Sequence, residues 1–261
     1  MKPEVTIVKI GGALIDTLPK LQAVLKDFAR LPGRKILVHG GGSKATALGK
    51  RLGIPAEMHR GRRITSAATL ELVVQVYAGL INKQIVAGLQ AQSCQALGVS
   101  GADANLILAT RRPVQSVDYG FVGDVVEVQK EHLNALMDMG FVPVFCAITH
   151  DGRGQLLNTN ADTIAAEIAI AMAGSFDVTL LYCFDRKGVM RDVNDADSVV
   201  ERLDKESYMK WSKAGVIHEG MLPKLDNCFN ALENGVRRVK IGLPEDLLTR
   251  GEGGKGTLVV L

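Results

Sequence analysis

In the stretch VTIVKIGGAL, residues 5–14, a β-branched run closes on a single lysine, Lys9, and two glycines, Gly11 and Gly12, follow at once. A buried strand has no need of a lysine, and glycines directly after a strand let a backbone approach something closely. The pairing points to an anion at the strand's C-terminal end. VHGGGS repeats the theme: Gly40, Gly41, Gly42 and Ser43 stand between a strand-like and a helix-like run, where free N–H groups and the positive helix terminus suit a phosphate or carboxylate. A tight turn explains one such GGG equally well, and alone it is the better explanation. In LLNTNADTIAAEIA, Asn158, Asn160 and Asp162 stand just before and inside the first turn of an apolar helix. Asn160 reads as its N-cap, and Asp162 suits the helix dipole; capping leaves Asn158 and the acid at 162 unexplained, and an acid near Lys9 could hold cationic groups in place. Lys224, in GMLPKLDN, would ordinarily be a solvated helix lysine, but Met221, Leu222, Pro223 and Leu225 give it an apolar setting. DRKGV, with Asp185 and Gly188, follows the strand-like VTLLYCF and reads as a turn.

Several other chemistries are excluded by pattern. G-x-x-x-x-G-K-[ST] is absent, since Arg51 follows Gly49-Lys50 and Gly256 follows Gly254-Lys255. A relaxed dinucleotide match, Gly40-x-Gly42-x-x-Ala45, lacks a second strand ending in an acid. DVNDAD has Ala196 where a calcium loop needs a ligand. Cys94, Cys146, Cys183 and Cys228 are scattered with no CxxC pair, which speaks against zinc and for a reducing, cytoplasmic setting. The formal net charge of +3 comes without a basic block, HRGRR at 59–63 being the one concentration, so neither nucleic acid nor a membrane surface is an expected partner. There is no signal-like N-terminus, and no apolar run is long enough to span a bilayer.

The elements that must position these residues alternate. VTIVKI, KILVH, VPVFCAITH, DVTLLYCF, VRRVKIG and GTLVVL read as strands, and helical patterns separate most of them. MHRGRRITS reads as a short hairpin, and residues 67–92 as one long helix apolar on more than one side. With 261 residues, 47% of them hydrophobic, the chain can bury a full core. The expected fold is α/β, a three-layer αβα sandwich around a central, mostly parallel sheet, with ligands at the C-terminal strand ends. Gly174–Asp177 is the expected junction of two lobes, 1–175 and 176–261.

KIGGAL, VHGGGS, GRRIT, GVSGADANLI, GFVGDV, LLNTNAD, DRKGV and GMLPKL, taken in this order over nearly the whole chain, resemble the amino-acid kinase superfamily. Within it they are similar to the branch that phosphorylates N-acetyl-L-glutamate in arginine biosynthesis. Each motif is modest; the ordered set is specific. The resemblance implies that fold and transfer of the ATP γ-phosphoryl group to a side-chain carboxylate. Such a carboxylate, with a pKa of about 4.3, needs no general base. It further implies Lys9 and Lys224 at the transferring phosphoryl, with Asp162 holding both ammonium groups. Gly11, Gly41 and Gly42 would donate N–H groups, with Gly12 beside them. Arg63 and Asn158 would bind the amino-acid end of the substrate, and Asp185, Gly188 and Met221 the nucleotide. Mg2+ would arrive on ATP, with no dedicated protein metal site. N-acetyl-L-glutamate and ATP are thus the expected partners.

Arg62 stands where this family usually has an apolar residue, and Arg60 lies two before it. Both fit plain surface charges; they could also greet an acyl group with its own carboxylate, such as succinyl. A non-catalytic sensor is the alternative of another class, opposed by the retained Lys9, Asp162 and Lys224. Only a few residues precede the first strand, which leaves no chain for the N-terminal helix of arginine-inhibited hexamers in this family. The surplus apolar face of the long helix fits an isologous homodimer, and the expectation is a dimer indifferent to arginine.

Overall fold

The computed structural model describes residues 2–59, 61–192, 195, 197–215, 217, 221–248 and 255–261. Arg60, much of DVNDAD and residues 249–254 lie outside the described residues. In chain order the elements are β1 (Glu4–Ile10), α1 (Gly12–Ile15), α2 (Leu18–Arg30), β2 (Arg34–His39), α3 (Gly42–Arg51), β3 (Glu57–His59), β4 (Arg62–Ile64), α4 (Ala67–Val74), a π-helical stretch (Gln75–Ile81) and α5 (Asn82–Gln90). Then follow β5 (Ala96–Val99), β6 (Ile107–Arg111), β7 (Gly123–Val128), α6 (Lys130–Asp138), β8 (Val142–Phe145), β9 (Ile148–His150) and β10 (Leu156–Asn158). The last are α7 (Ala161–Ala173), β11 (Asp177–Cys183), β12 (Arg202–Leu203), α8 (Lys205–Lys213), α9 (Leu222–Glu233), β13 (Arg238–Gly242), α10 (Pro244–Leu247) and β14 (Thr257–Val259).

Val5, Ile7, Val8 and Ile10 are at most 1% exposed. A strand so apolar on both faces belongs inside a sheet covered by helices. β1 pairs in parallel with β2 on one side and β11 on the other, in an eight-stranded sheet of order β12-β14-β13-β11-β1-β2-β8-β5. Its pairs are parallel except β13 with β14. Helices cover the sheet in the expected three-layer arrangement, with α7 lying across β1, β2 and β11 beside α9, and α2 against α5 and α10. The junction expected at 174–177 is no break in this sheet, because β11 pairs with β1 from Asp177 to Cys183.

Three features go beyond the sequence expectation. VPVFCAITH is two strands: β8 joins the large sheet, and β9 joins a second, four-stranded sheet of order β10-β9-β6-β7. The β3–β4 hairpin forms as expected, pairing Met58 with Arg63. The long helix spans Ala67–Gln90 and, contrary to the sequence reading, is long and apolar enough to cross a membrane by length and composition. Val73, Ile81, Ile85 and Leu89 on it are fully buried, as in a core helix, and its middle turns are π-helical.

Candidate active site

Lys9 alternates with Val5 and Ile7 on one face of β1, the period-2 rule of a strand, and in register it pairs with Tyr182 of β11. Both reach the first turn of α7. Lys9 Nζ lies 2.6 Å from Asp162 Oδ1, and the Tyr182 hydroxyl donates to the Asp162 carbonyl at 2.9 Å. From α9, Lys224 Nζ donates to the same Oδ1 at 2.9 Å, and it lies 5.0 Å from the centre of the Tyr182 ring and 6.0 Å from that of Phe184. One carboxylate oxygen thus joins two lysines from separate elements. The helix does not need Asp162 as a cap, since the Asn160 side chain accepts from Asp162 N and Thr163 N at 2.8 and 3.2 Å.

Burial pushes the Asp162 carboxyl pKa up, but Lys224 and Lys9 together outweigh it and hold the group well below the usual carboxylate range. Burial pushes the Lys9 ammonium down; Asp162 opposes that shift and Lys224 adds to it through like-charge repulsion. The pair of lysines is therefore an anion trap that depends on its central carboxylate.

The two glycine patches divide by cause. A Cβ on Gly41 would sit 2.3 Å from Ile81 Cδ1 and 2.9 Å from Tyr77 Cδ1, and its φ is +157°. The π-helical stretch that carries Tyr77 and Ile81 leaves room only for glycine there. Among the described residues no such reason exists at Gly42, where a Cβ would meet only Arg63 Nη2 at 3.9 Å, or at Gly11, where the nearest atoms stand at 3.5 Å. An open approach for a ligand accounts for both. One expected donor needs correction: Gly11 N–H already donates to Cys183 O at 2.9 Å, extending the β1–β11 ladder. The N–H groups of Gly12 and Gly42 open α1 and α3, where helix geometry leaves N–H groups unused. His39 buttresses this turn. Its Nδ1 lies 2.8 Å from Gly40 O, and Asn82 Nδ2, 2.9 Å from Val144 O, lies 3.2 Å from its Nε2. With Asn82 donating to Nε2, Nδ1 carries the proton; burial pushes the ring pKa down to about 4, so the imidazole is neutral near pH 7.

Gly41, Gly42, Arg63 and Asn158 line one cavity of about 200 Å³, together with Tyr77, Arg62, Arg112 and the backbone at Asn160 and Ala161. The N-termini of α3 and α7 both open on it, adding their positive ends. Arg63 Nη2 donates to Gly42 O at 3.0 Å and to Thr46 Oγ1 at 2.7 Å, tying the hairpin to the glycine turn. Asn158 is fixed by Nδ2 donating to Thr65 Oγ1 at 3.0 Å. Asp185 stands exposed past the end of β11, and Met221 precedes α9. Gly188 has a packing reason of its own: a Cβ would lie 2.7 Å from Thr257 Oγ1. Neither Asp185 nor Gly188 lines this cavity. Tyr77, Tyr182 and Arg112 were not foreseen. Register opposite Lys9 could have flagged Tyr182; nothing local marks the other two.

The site can hold an anionic small molecule between cations and helix termini, and it can stabilise charge developing beside Lys9 and Lys224. Among the described residues it offers no His–acid pair for proton abstraction. In comparison with known proteins, a family model described as "Amino acid kinase family" matches residues 4–242. A curated acetylglutamate kinase of Phocaeicola vulgatus is 50% identical over 99% of this chain and 99% of its own length. Another, from Cytophaga hutchinsonii, is 52% identical over 93% of this chain and 92% of its own. A crystal structure of a Streptococcus mutans protein superposes with a TM-score of 0.80 at 25% identity, covering 98% of each chain.

Proposed function

The chain belongs to the amino acid kinase family, and from that premise we propose that it transfers the γ-phosphoryl group of ATP to the side-chain carboxylate of N-acetyl-L-glutamate, a step of arginine biosynthesis. The observation that carries this is the Lys9–Asp162–Lys224 cluster, built at the strand and helix ends beside an arginine- and asparagine-lined cavity. The acceptor is ionised at neutral pH, so catalysis is positioning plus charge neutralisation. Attack of the carboxylate oxygen on the γ-phosphorus expels ADP. Lys9 and Lys224 neutralise the oxygens of the transferring group, and Asp162 keeps their ammonium groups together. The Gly12 and Gly42 N–H groups face the phosphoryl and the carboxylate, and the bare Cα of Gly11 permits their approach. Gly41 shapes the turn. Arg63 and Asn158 hold the α-carboxylate and the acyl amide. Residues 1–175 carry this acyl-amino-acid site; 176–261 carry the nucleotide, with Asp185, Gly188 and Met221 along it. Mg2+ would arrive bound to ATP and would supply further neutralisation there; Asp162 is already engaged by two lysines.

The chain incubated with ATP, Mg2+, N-acetyl-L-glutamate and hydroxylamine is expected to yield a hydroxamate and stoichiometric ADP. No hydroxamate above the blank without acceptor overturns the reading. Arg63→Ala is expected to raise KM for N-acetyl-L-glutamate about 10–100-fold, the worth of one charged hydrogen-bonded pair, and to leave KM for ATP within about threefold. An equal rise in both, measured by initial rates, shows instead that the hairpin has let go of Gly42.

We place the enzyme in the cytoplasm, where its buried thiols stay reduced. A homodimer forms through the helix 67–90, whose Leu80 is 50% exposed in the structure; a second copy would cover it. Light scattering should give twice the chain mass of 28.0 kDa; the mass of one chain refutes this arrangement.

A further inference from the structure

Three guanidinium groups, those of Arg62, Arg63 and Arg112, line the cavity at the N-termini of α3 and α7. Two have partners within the chain. Arg63 is bound to Gly42 O and Thr46 Oγ1. Arg112 is neutralised by Asp124, with Nη2 at 2.5 Å and Nε at 3.1 Å from Oδ1, and its guanidinium lies 5.3 Å from the centre of the Tyr119 ring. Arg62 is different. Among the described residues its guanidinium has neither ion pair nor hydrogen bond, although it is only partly exposed. It also faces a second cavity of about 500 Å³, which shares Arg62 and Arg112 with the first and is further lined by His59, Ser116 and Tyr119.

The charges do not balance for an acetyl group. N-acetyl-L-glutamate has two carboxylates. One is the phosphoryl acceptor beside the lysines, and the other belongs to Arg63. An acetyl methyl set against Arg62 would take water from an unpaired cation and return nothing. A carboxylate there would gain a charge-assisted, bidentate partner, and the second cavity gives the longer acyl chain room. We propose that Arg62 forms an acyl-end anion subsite, so that the enzyme also phosphorylates N-acyl-L-glutamates whose acyl group ends in a carboxylate, with N-succinyl-L-glutamate as the substrate that fits. This rests on the reading of the same cavity as an N-acylglutamate site. The chemistry is unchanged: an oxygen of the glutamate side-chain carboxylate bonds to the γ-phosphorus, the bond to the β-phosphate oxygen breaks, and ADP leaves. The acyl carboxylate only binds.

The test compares kcat/KM for N-succinyl-, N-acetyl- and N-succinamoyl-L-glutamate, the last being the neutral isostere of the first. The unaltered enzyme is expected to use the succinyl substrate at least as well as the acetyl one and at least tenfold better than the succinamoyl one. Arg62→Gln should lower the succinyl-to-acetyl ratio tenfold or more, chiefly through KM, and Arg62→Lys should recover part of it. Equal use of the succinyl and succinamoyl compounds, or a ratio unmoved in Arg62→Gln, overturns the subsite. So does turnover of the acetyl substrate without the succinyl one. Failure of all three compounds in the unaltered enzyme overturns the N-acylglutamate reading itself.

Discussion

Replacing Lys224 or Lys9 by alanine is expected to lower kcat by about 10²–10³, the cost of losing one preorganised donor to developing transition-state charge, with KM for either substrate changing far less. The expectation follows from where the ammonium groups stand. Both lie on one oxygen of Asp162, at 2.6 and 2.9 Å, held by two separate elements, β1 and α9. A contact that strengthens only as charge gathers on the transferring phosphoryl appears in kcat, not in ground-state binding. Neither substitution should unfold the chain, because the remaining lysine still neutralises Asp162. Circular dichroism and a melting curve check this. Near-normal turnover in a folded Lys224→Ala enzyme would sink the assignment of that residue, whose cation–π contacts with Tyr182 and Phe184 would then be purely structural.

Asp162→Asn should cost about 10² in kcat and also change the pH profile. The amide keeps the shape and the Asn160 cap but removes the charge that favours protonated lysines. Burial and Lys224 already push the Lys9 pKa down, and Asp162 opposes them. Without that opposition Lys9 loses its proton at lower pH, so the alkaline limb of kcat/KM should move toward neutrality. A merely structural Asp162 would leave that limb where it is. Stability carries the opposite sign. The Asp162 pKa is depressed in the folded state, so the cluster's contribution is present above the ordinary carboxylate pKa and is lost only as pH falls through the depressed value. Acid denaturation of the unaltered enzyme should therefore be steeper than that of Asp162→Asn. Identical acid profiles together with an unmoved alkaline limb would show that Asp162 is not an ionised hub.

Much of this was legible in order along the chain. A lysine ending an apolar strand, with two glycines after it, already calls for an anion, because strand interiors exclude unpaired charge and glycine opens the backbone. Asn160 reads as a cap from its place before an apolar helix, and the hairpin in MHRGRRITS, residues 58–66, reads from its punctuation. The role of each glycine was not legible. Gly41 is required by Tyr77 and Ile81 of a helix that follows much later in the chain, whereas no neighbour among the described residues requires Gly42. Gly11 reads as a donor from the sequence, but its N–H is taken by Cys183 O. The split of VPVFCAITH between two sheets was hidden for a similar reason: period-2 burial is the same in either sheet, and only pairing partners separate them.

By itself the sequence determined the class of fold and the kinds of group at its strand ends, since alternating apolar runs and glycine turns act locally. It also carried the ordered motifs of the family. Convergence was decided by the tertiary structure. Asp162 and Lys224 stand 62 positions apart, and no local rule states that α9 folds back on α7 to aim both lysines at one oxygen. Nor does any local rule leave Arg62 without a partner among the described residues while Arg112 finds Asp124. Coulomb energy depends on distance through space, and distances between remote residues exist only once sheet order and helix packing are fixed.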